Sequence, residues 1–234
     1  MIEESDLKTY LSIGPHHLGI YLFDTKKYNY VYKEELIEVT KIDLNNFDVL
    51  NEFLEKNIFK IEKLIGKFLN NIYLIIETKN LKKINIGIKK KNYDEKINKS
   101  FLENMLADAK DLFRENNEGE KITHMIVNKY LADGISYSSF DNNFICDDFC
   151  VELQINYISE NLVYEINKIL EKYQIKIIGY LDKNYIENFF KDENLELCMM
   201  AYKIQNGFNN NEVKLIPKKH YNKGFFEKFF QLFS

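Results

Sequence analysis

Proline is nearly missing from this chain. There are two in 234 residues, Pro15 and Pro217. No Pro-rich or low-complexity linker interrupts the sequence, and no internal repeat is present. The elements follow one another closely, as in a compact α/β fold. Cysteine is also sparse: Cys146, Cys150 and Cys198 are an odd number. The stretch Met1–Asp6 is acidic and polar, unlike a secretory leader. Together these read as reduced thiols in a cytoplasm. No apolar run approaches the ~20 residues that cross a bilayer, so a chain like this is expected to lie on a membrane if it meets one. Arginine is scarce while Lys, Asn and Ile abound, a coding bias of an AT-rich, bacterial genome with no mechanistic weight.

What is present sets the class. The chain is long enough for one large domain or two small ones with a real core. Hydrophobic content of 45% argues against wholesale disorder, and a net charge of −4 argues against a nucleic-acid partner.

Strand-like runs come first: Thr9–Ile13, Leu18–Phe23, and the longer, partly alternating Tyr28–Val39. A helix from about Asn46 is predicted by Phe47, Leu50, Leu54, Ile58, Ile61, Ile65 and Phe68 at three- and four-residue spacing. Ile72–Ile76 reads as a buried strand, and Lys83–Lys90 alternates as a strand with one solvated face. Ser100 with Glu103 three residues on predicts a helix start, and that helix ends before Gly119. Ile122–Leu131 is a strand closed by the turn pair Asp133–Gly134, and Phe149–Ile158 alternates again. A helix over Leu162–Tyr173, a strand over Ile175–Leu181, and helical patches at Tyr185–Phe190 and Leu195–Gln205 follow, with Gly207 as a stop. The strand–helix–strand–strand order near 83–158 sits inside a larger α/β unit. One domain inserted into another is therefore expected.

Few residues could carry chemistry. The turn in Leu11–His17 (LSIGPHH) could cradle a phosphate through backbone N–H groups, but Pro15 removes one donor, and an ordinary hairpin turn fits as well. His16 and His17 are adjacent, so on a regular strand they face opposite ways. His124 and His220 are distant in sequence, and no three- or four-ligand metal spacing occurs. Cys146 and Cys150 read as partly buried free thiols. No P-loop, nucleophile elbow or zincin motif is present, and no carboxylate pair stands out. No catalysis, cofactor or metal is expected.

The C-terminus is different. At ~100° per residue, Phe225, Phe226, Phe229, Phe230, Leu232 and Phe233 fall within an arc of roughly 160°. Glu227, Lys228, Gln231 and Ser234 occupy the rest. Lys218, Lys219 and Lys223 lie just upstream, where each would add about 1 kcal/mol toward anionic lipid. Five phenylalanines in nine residues are a costly surface for a chain end. The polar stretch Asn206–His220 reads as a tether. Residues 223–234 are therefore expected to form an amphipathic membrane-targeting helix, with Lys228 among its lipid contacts. The competing reading is a terminal helix docked on the protein's own core. A helix this short binds lipid weakly and reversibly, so firm attachment needs several copies, and self-association is expected.

In this order the pieces resemble FtsA, the actin-like bacterial cell-division family that tethers the FtsZ ring to the inner membrane. Leu11–Gly14 (LSIG) stands where that family opens with Leu-Asp-Ile-Gly. The insert from Lys83 to Ile158 is similar to its extra subdomain, called 1C or SHS2. His124–Gly134 resembles its strand ending in a Tyr…Asp-Gly turn, and Val151–Ser159 the strand leaving that subdomain. Ile166–Phe190 resembles the helix–strand–helix that resumes subdomain 1A, and Leu197–Gly207 the last folded helix. The resemblance implies a partial actin-like (RNase H-like) α/β fold. Residues 8–80 and 159–207 would form the 1A-type body, 81–158 the SHS2-type insert and 208–222 a linker.

The departures narrow the implied function. Between Phe190 and Leu195 the family carries its second actin-like half, absent here, and with it one wall of the nucleotide cleft. The phosphate loop lacks its Asp (Ser12) and its hydroxyl residues (Pro15, His16). The resemblance therefore implies a non-catalytic, self-assembling adaptor on the cytoplasmic face of the inner membrane at the division site. Its partners would be anionic lipid, itself, and division proteins such as FtsZ or septal membrane proteins. The alternative is a relative of PilM, an actin-fold component of type IV pilus or secretion machinery. A sugar-kinase-like phosphotransferase is a third reading and would need a nucleotide site.

Overall fold

The computed structural model describes residues 6–37, 48–77, 81–141 and 143–213. Two sheets organise them. The first is built from β1 (Leu7–Ile13), β2 (His17–Asp24), β3 (Asn29–Ile37), β4 (Asn71–Ile76) and β9 (Lys176–Asp182), in the order β3-β2-β1-β4-β9. β1, β2 and β3 form an antiparallel meander, while β4 and β9 run parallel to β1. This order and these strand senses are those of half an actin-like domain, so the body is a partial actin-like α/β fold.

Side chains alternate across β1, and the two faces bury different partners. Leu11 and Ile13 join Leu54, Ile58 and Ile61 of α1 (Asp48–Ile65) and Ile166 and Leu170 of α3 (Glu160–Glu171). Tyr10 joins Tyr21, Phe23 and Ile75 beneath α4 (Lys183–Phe189) and α5 (Leu197–Gln205). The first core is almost wholly aliphatic, and the second mixes aromatic rings with aliphatic side chains.

The second sheet, in the order β5-β8-β6-β7, arises from Lys82–Ser159, between β4 and α3 of the body. Its strands are β5 (Lys82–Lys91), β6 (Glu120–Ala132), β7 (Ile135–Tyr137) and β8 (Asp148–Ser159), and α2 (Lys99–Asn116) packs on one face. Met105, Ala109 and Phe113 of α2 meet Val151, Leu153 and Ile155 of β8, the inward half of an alternating strand. The outer edge of β5 is guarded by lysines paired at their tips: Lys82 with Glu120, Lys89 with Asp148, and Lys90 with Asp108. Charged side chains on an edge strand resist pairing with another chain.

Several boundaries differ from the sequence reading. Asn98, not Ser100, caps α2, because its Oδ1 accepts the Phe101 N–H at 2.9 Å. Helix α1 stops at Ile65, since Gly66 takes a left-handed φ of 72°, and Phe68 projects into solvent. Strand β7 was not anticipated; its three residues are all exposed and carry no periodic signal. Residues 208–213, expected in the linker, are docked on the fold. No helix among the described residues is long and apolar enough to cross a membrane.

Candidate functional site at the strand tips

The parallel strands β1, β4 and β9 end level with one another: Ile13 is in register with Ile76, and Ile76 with Asp182. In open α/β sheets, ligands bind in the crevice outside such carboxyl ends. Here the crevice is framed by the turn after β1, by Glu77 after β4, and by Lys183 at the start of α4.

The turn commits the Gly14 donor internally. Gly14 N–H donates to the His17 carbonyl at 2.7 Å, and Glu77 N–H donates to the Ile13 carbonyl at 2.8 Å. Pro15 has no N–H to offer. A phosphate cradle needs several such groups pointing outward, and here the Gly14 N–H is already taken and Pro15 has none. The Glu77 carboxylate then lies against Gly14: a β-carbon there would stand 3.0 Å from Glu77 Oε2. Lys183 Nζ binds the same oxygen at 2.6 Å and reaches Glu187 at 3.8 Å. The Lys183 charge at the rim is thus met by carboxylates on either side.

Tyr21 fills the crevice floor. Its ring lies back over Gly19, and its hydroxyl donates to Glu35 Oε1 at 2.8 Å. With that proton committed, His17 Nε2–H, 3.1 Å away, donates to the phenol oxygen. Burial raises the Tyr21 hydroxyl well above its ordinary value, and its bond to the Glu35 carboxylate adds to the rise. Burial also lowers the imidazole of His17, helped by the nearby Lys183 charge. Ser12, in the position where a carboxylate was sought, is fully buried. Its Oγ finds no hydrogen-bond partner among the described residues.

A second polar cluster joins body to insert behind this rim. Asp182 caps α4, its Oδ1 accepting Tyr185 N–H and its Oδ2 accepting Asn156 Nδ2, each at 3.1 Å. The Asp182 N–H points at His124 Nε2, 2.9 Å away. A backbone N–H only donates, so Nε2 is the acceptor and the ring's hydrogen sits on Nδ1. Nδ1–H then faces Glu212 Oε1 at 2.6 Å, and Tyr185 donates to Glu212 Oε2 at 3.0 Å. Burial raises the Tyr185 hydroxyl, and the Glu212 charge raises it further.

The sequence-predicted residues are distributed unevenly over this geometry. The structure places Gly14, Pro15 and His16 in the turn, with His16 exposed, and separates them from His124. Cys146 is buried in the insert core and Cys150 lies on β8. No group of three metal-ligating side chains comes together among the described residues. Lys218, Lys219, Lys223, Phe225, Phe226, Lys228, Phe229, Phe230, Leu232 and Phe233 all lie outside the described residues. Sequence reasoning missed Tyr21, Glu35, Glu77 and Lys183. Glu77 alone had a signal, as the first charge after the apolar run Ile72–Ile76.

No protein-family model matches the chain, and no curated protein does. Several solved structures are similar to it. One is the cytoplasmic domain of EpsL, an inner membrane component of the type II secretion system of Vibrio cholerae. It is 8% identical, with 77% of this chain and 57% of that chain covered, at a TM-score of 0.36. A Bacteroides thetaiotaomicron protein with an actin-like ATPase fold and unknown function is 14% identical, with coverage of 83% and 61% and a TM-score of 0.34. The PilM–PilN type IV pilus biogenesis complex is 9% identical, with coverage of 78% and 49% and a TM-score of 0.46. The chain thus spans about half to three-fifths of the length of these structures. At such scores the likenesses carry no argument of their own, and the actin-like assignment rests on strand order and sense.

Proposed function

We propose that this chain is a non-catalytic adaptor: an actin-like half-body whose nucleotide crevice is closed by its own side chains, carrying an insert for protein contacts and a tail for lipid. The observation that carries this reading is the occupied rim. Glu77 and Lys183 pair across the strand tips at 2.6 Å, and the Gly14 N–H is spent inside its own turn. An incoming triphosphate would meet a carboxylate at Gly14 and would have to break that ion pair. The test is calorimetric titration of the full chain with Mg-ATP. The expected result is no binding at millimolar nucleotide. Micromolar affinity would sink the adaptor reading and revive a phosphotransferase.

The lipid part of the proposal rests on the sequence of residues 218–234, with Phe225, Phe226, Phe229, Phe230, Leu232 and Phe233 as the apolar stripe. Sedimentation with phosphatidylglycerol-containing vesicles tests it. The full chain should pellet, and a chain ending at Gly224 should not. Equal pelleting of the two would remove the anchor.

The machine served has two readings. The resemblance to FtsA points to division, with FtsZ or septal proteins as partners. EpsL and PilM–PilN, by their names, belong to secretion and pilus machinery and fit the PilM-like alternative better. A tagged copy in its host separates them: a mid-cell band supports division, and polar foci support pilus or secretion machinery.

A further inference from the structure

Residues 208–213 leave the body after Gly207, whose φ of 81° turns the chain out of α5. They then cross to the insert. Phe208 packs on Phe190 with ring centroids 5.4 Å apart, and Lys203 Nζ lies 4.7 Å over the Phe208 ring. Asn209 Nδ2 donates to the Tyr185 hydroxyl at 2.7 Å. The next residues run antiparallel along the edge of β6. Val127 N–H donates to the Asn211 carbonyl, and Val213 N–H donates to the Met125 carbonyl, each at 2.8 Å. β7 covers the same edge of β6 further on, at 130–132.

Glu212 is the centre of this crossing. One carboxylate oxygen takes the hydrogen of His124 on the insert, and the other takes that of Tyr185 on the body. The His124 side chain is 1% exposed and Glu212 12%. His124 in turn receives the Asp182 N–H at the start of α4. One carboxylate therefore ties three parts of the chain: body helix α4, insert strand β6, and the segment that continues toward the C-terminus.

We propose that residues 208–213 are a releasable latch, with Glu212 as its bolt, that fixes the insert against the body. Phe208 and Asn209 root it on the body and Val213 rests on the insert core, but along β6 it is held by two backbone bonds, the Glu212 carboxylate and Asn211 Nδ2 on the Ser138 carbonyl, whereas each flanking sheet is held by full ladders. Local opening is easiest where buried contacts and backbone bonds are fewest. Any pull on the chain beyond Val213 acts first on the Val213–Met125 bond and on Glu212. Opening bares the β6 edge at 125–127 and leaves His124 without its acceptor, which loosens the Asp182 contact between the sheets. This holds whatever the C-terminal segment binds, so it stands or falls separately from the lipid reading.

Native-state hydrogen exchange, read by mass spectrometry on the full chain, tests the latch. Wild type is compared with Glu212→Ala, Glu212→Gln and Tyr185→Phe. In Glu212→Ala, exchange should rise at least tenfold in 208–213, at Val127, and at Asp182, where the N–H bonds to His124. Residues 149–155 of β8 and 9–13 of β1 should be unchanged. Glu212→Gln should fall between, since an amide oxygen accepts one of the two bonds, and Tyr185→Phe should give the same pattern at smaller size. Uniform acceleration over the chain would overturn the latch, because it would mean lost global stability. Acceleration confined to 208–213 would overturn it too, because the bolt would then hold only its own segment. If Glu212→Ala does not fold, the two milder variants decide by the same pattern.

Discussion

Tyr21 lies across Gly19, two residues before it on the same strand, and its Cζ stands 2.6 Å from where a β-carbon at Gly19 would be. Only glycine fits beneath the ring, and the ring occupies the crevice floor. Gly19→Ala should therefore cost about 1–3 kcal/mol of stability, the usual range for overpacking a filled site. The same substitution in a Tyr21→Ala background should cost well under 1 kcal/mol, because neighbours that share one space are not additive. Urea unfolding of the four-member cycle measures the coupling. Additive losses would mean that the strand, not the ring, resents the methyl group.

Ser12 makes the opposite prediction. It is fully buried beside Gly19 on β2 and Ile75 on β4, with an Oγ that bonds to nothing among the described residues. Removing an unpaired buried hydroxyl relieves its desolvation, so Ser12→Ala should stabilise the protein by about 1 kcal/mol. Ser12→Asp restores the residue type that the resembling family carries there. No described residue offers the Ser12 side chain a hydrogen bond, so that carboxylate should cost about 3 kcal/mol or more. It should also bring no nucleotide binding, as calorimetry on the folded fraction would show.

The contrast between these two sites shows what the sequence could and could not reveal. Period-two and period-3.6 patterns located the two sheets and five helices, because burial on one face writes itself into residue order. That Ser12 is no carboxylate was legible as well. The pairing of Glu77 with Lys183 was not, since those residues are 106 apart and each looks like an ordinary surface charge. Residues 208–213 looked like a polar tether because, apart from Phe208 and Val213 at their ends, their contacts are made through backbone groups, two asparagines and one glutamate. The run Asn209–Glu212 between those two residues reads the same whether docked on an edge or solvated. Asn98 lost to Ser100 in the reading of α2 for a related reason: both are good caps, and the backbone geometry chose between them.

The three thiols should react at sharply different rates. Cys146 and Cys198 are buried, while Cys150 is half-buried on β8. Burial raises all three thiols, and the Glu152 carboxylate raises Cys150 further. Thiolate is the reactive form, so even Cys150 should be slow. In native buffer, an aromatic disulfide reagent should modify one thiol per chain at pH 8, faster at pH 9, and all three only in denaturant. Rapid native modification of two or more would mean that the insert core or the α5 face opens readily.

His17 gives the fold a pH dependence whose sign follows from its surroundings. Burial and the Lys183 charge lower its pKa from the ordinary 6.5, while Glu35 and Glu77 pull weakly the other way. The imidazole is therefore harder to protonate in the folded chain than in the unfolded one. Its contribution to stability is intact above pH 6.5 and is lost as pH falls from there through the lowered folded value. The ring is only about half buried, so solvent screening keeps the effect small. Carboxylates titrate over part of the same range, so the test is a difference measurement. Melting temperatures of wild type and His17→Gln should be recorded from pH 7.5 to 5.5. The amide can still donate to the Tyr21 oxygen but does not titrate. The variant should lose less melting temperature over that interval than the wild type does. Parallel curves would show that His17 does not feel the crevice, and a steeper loss in the variant would show that its protonated form is welcomed there.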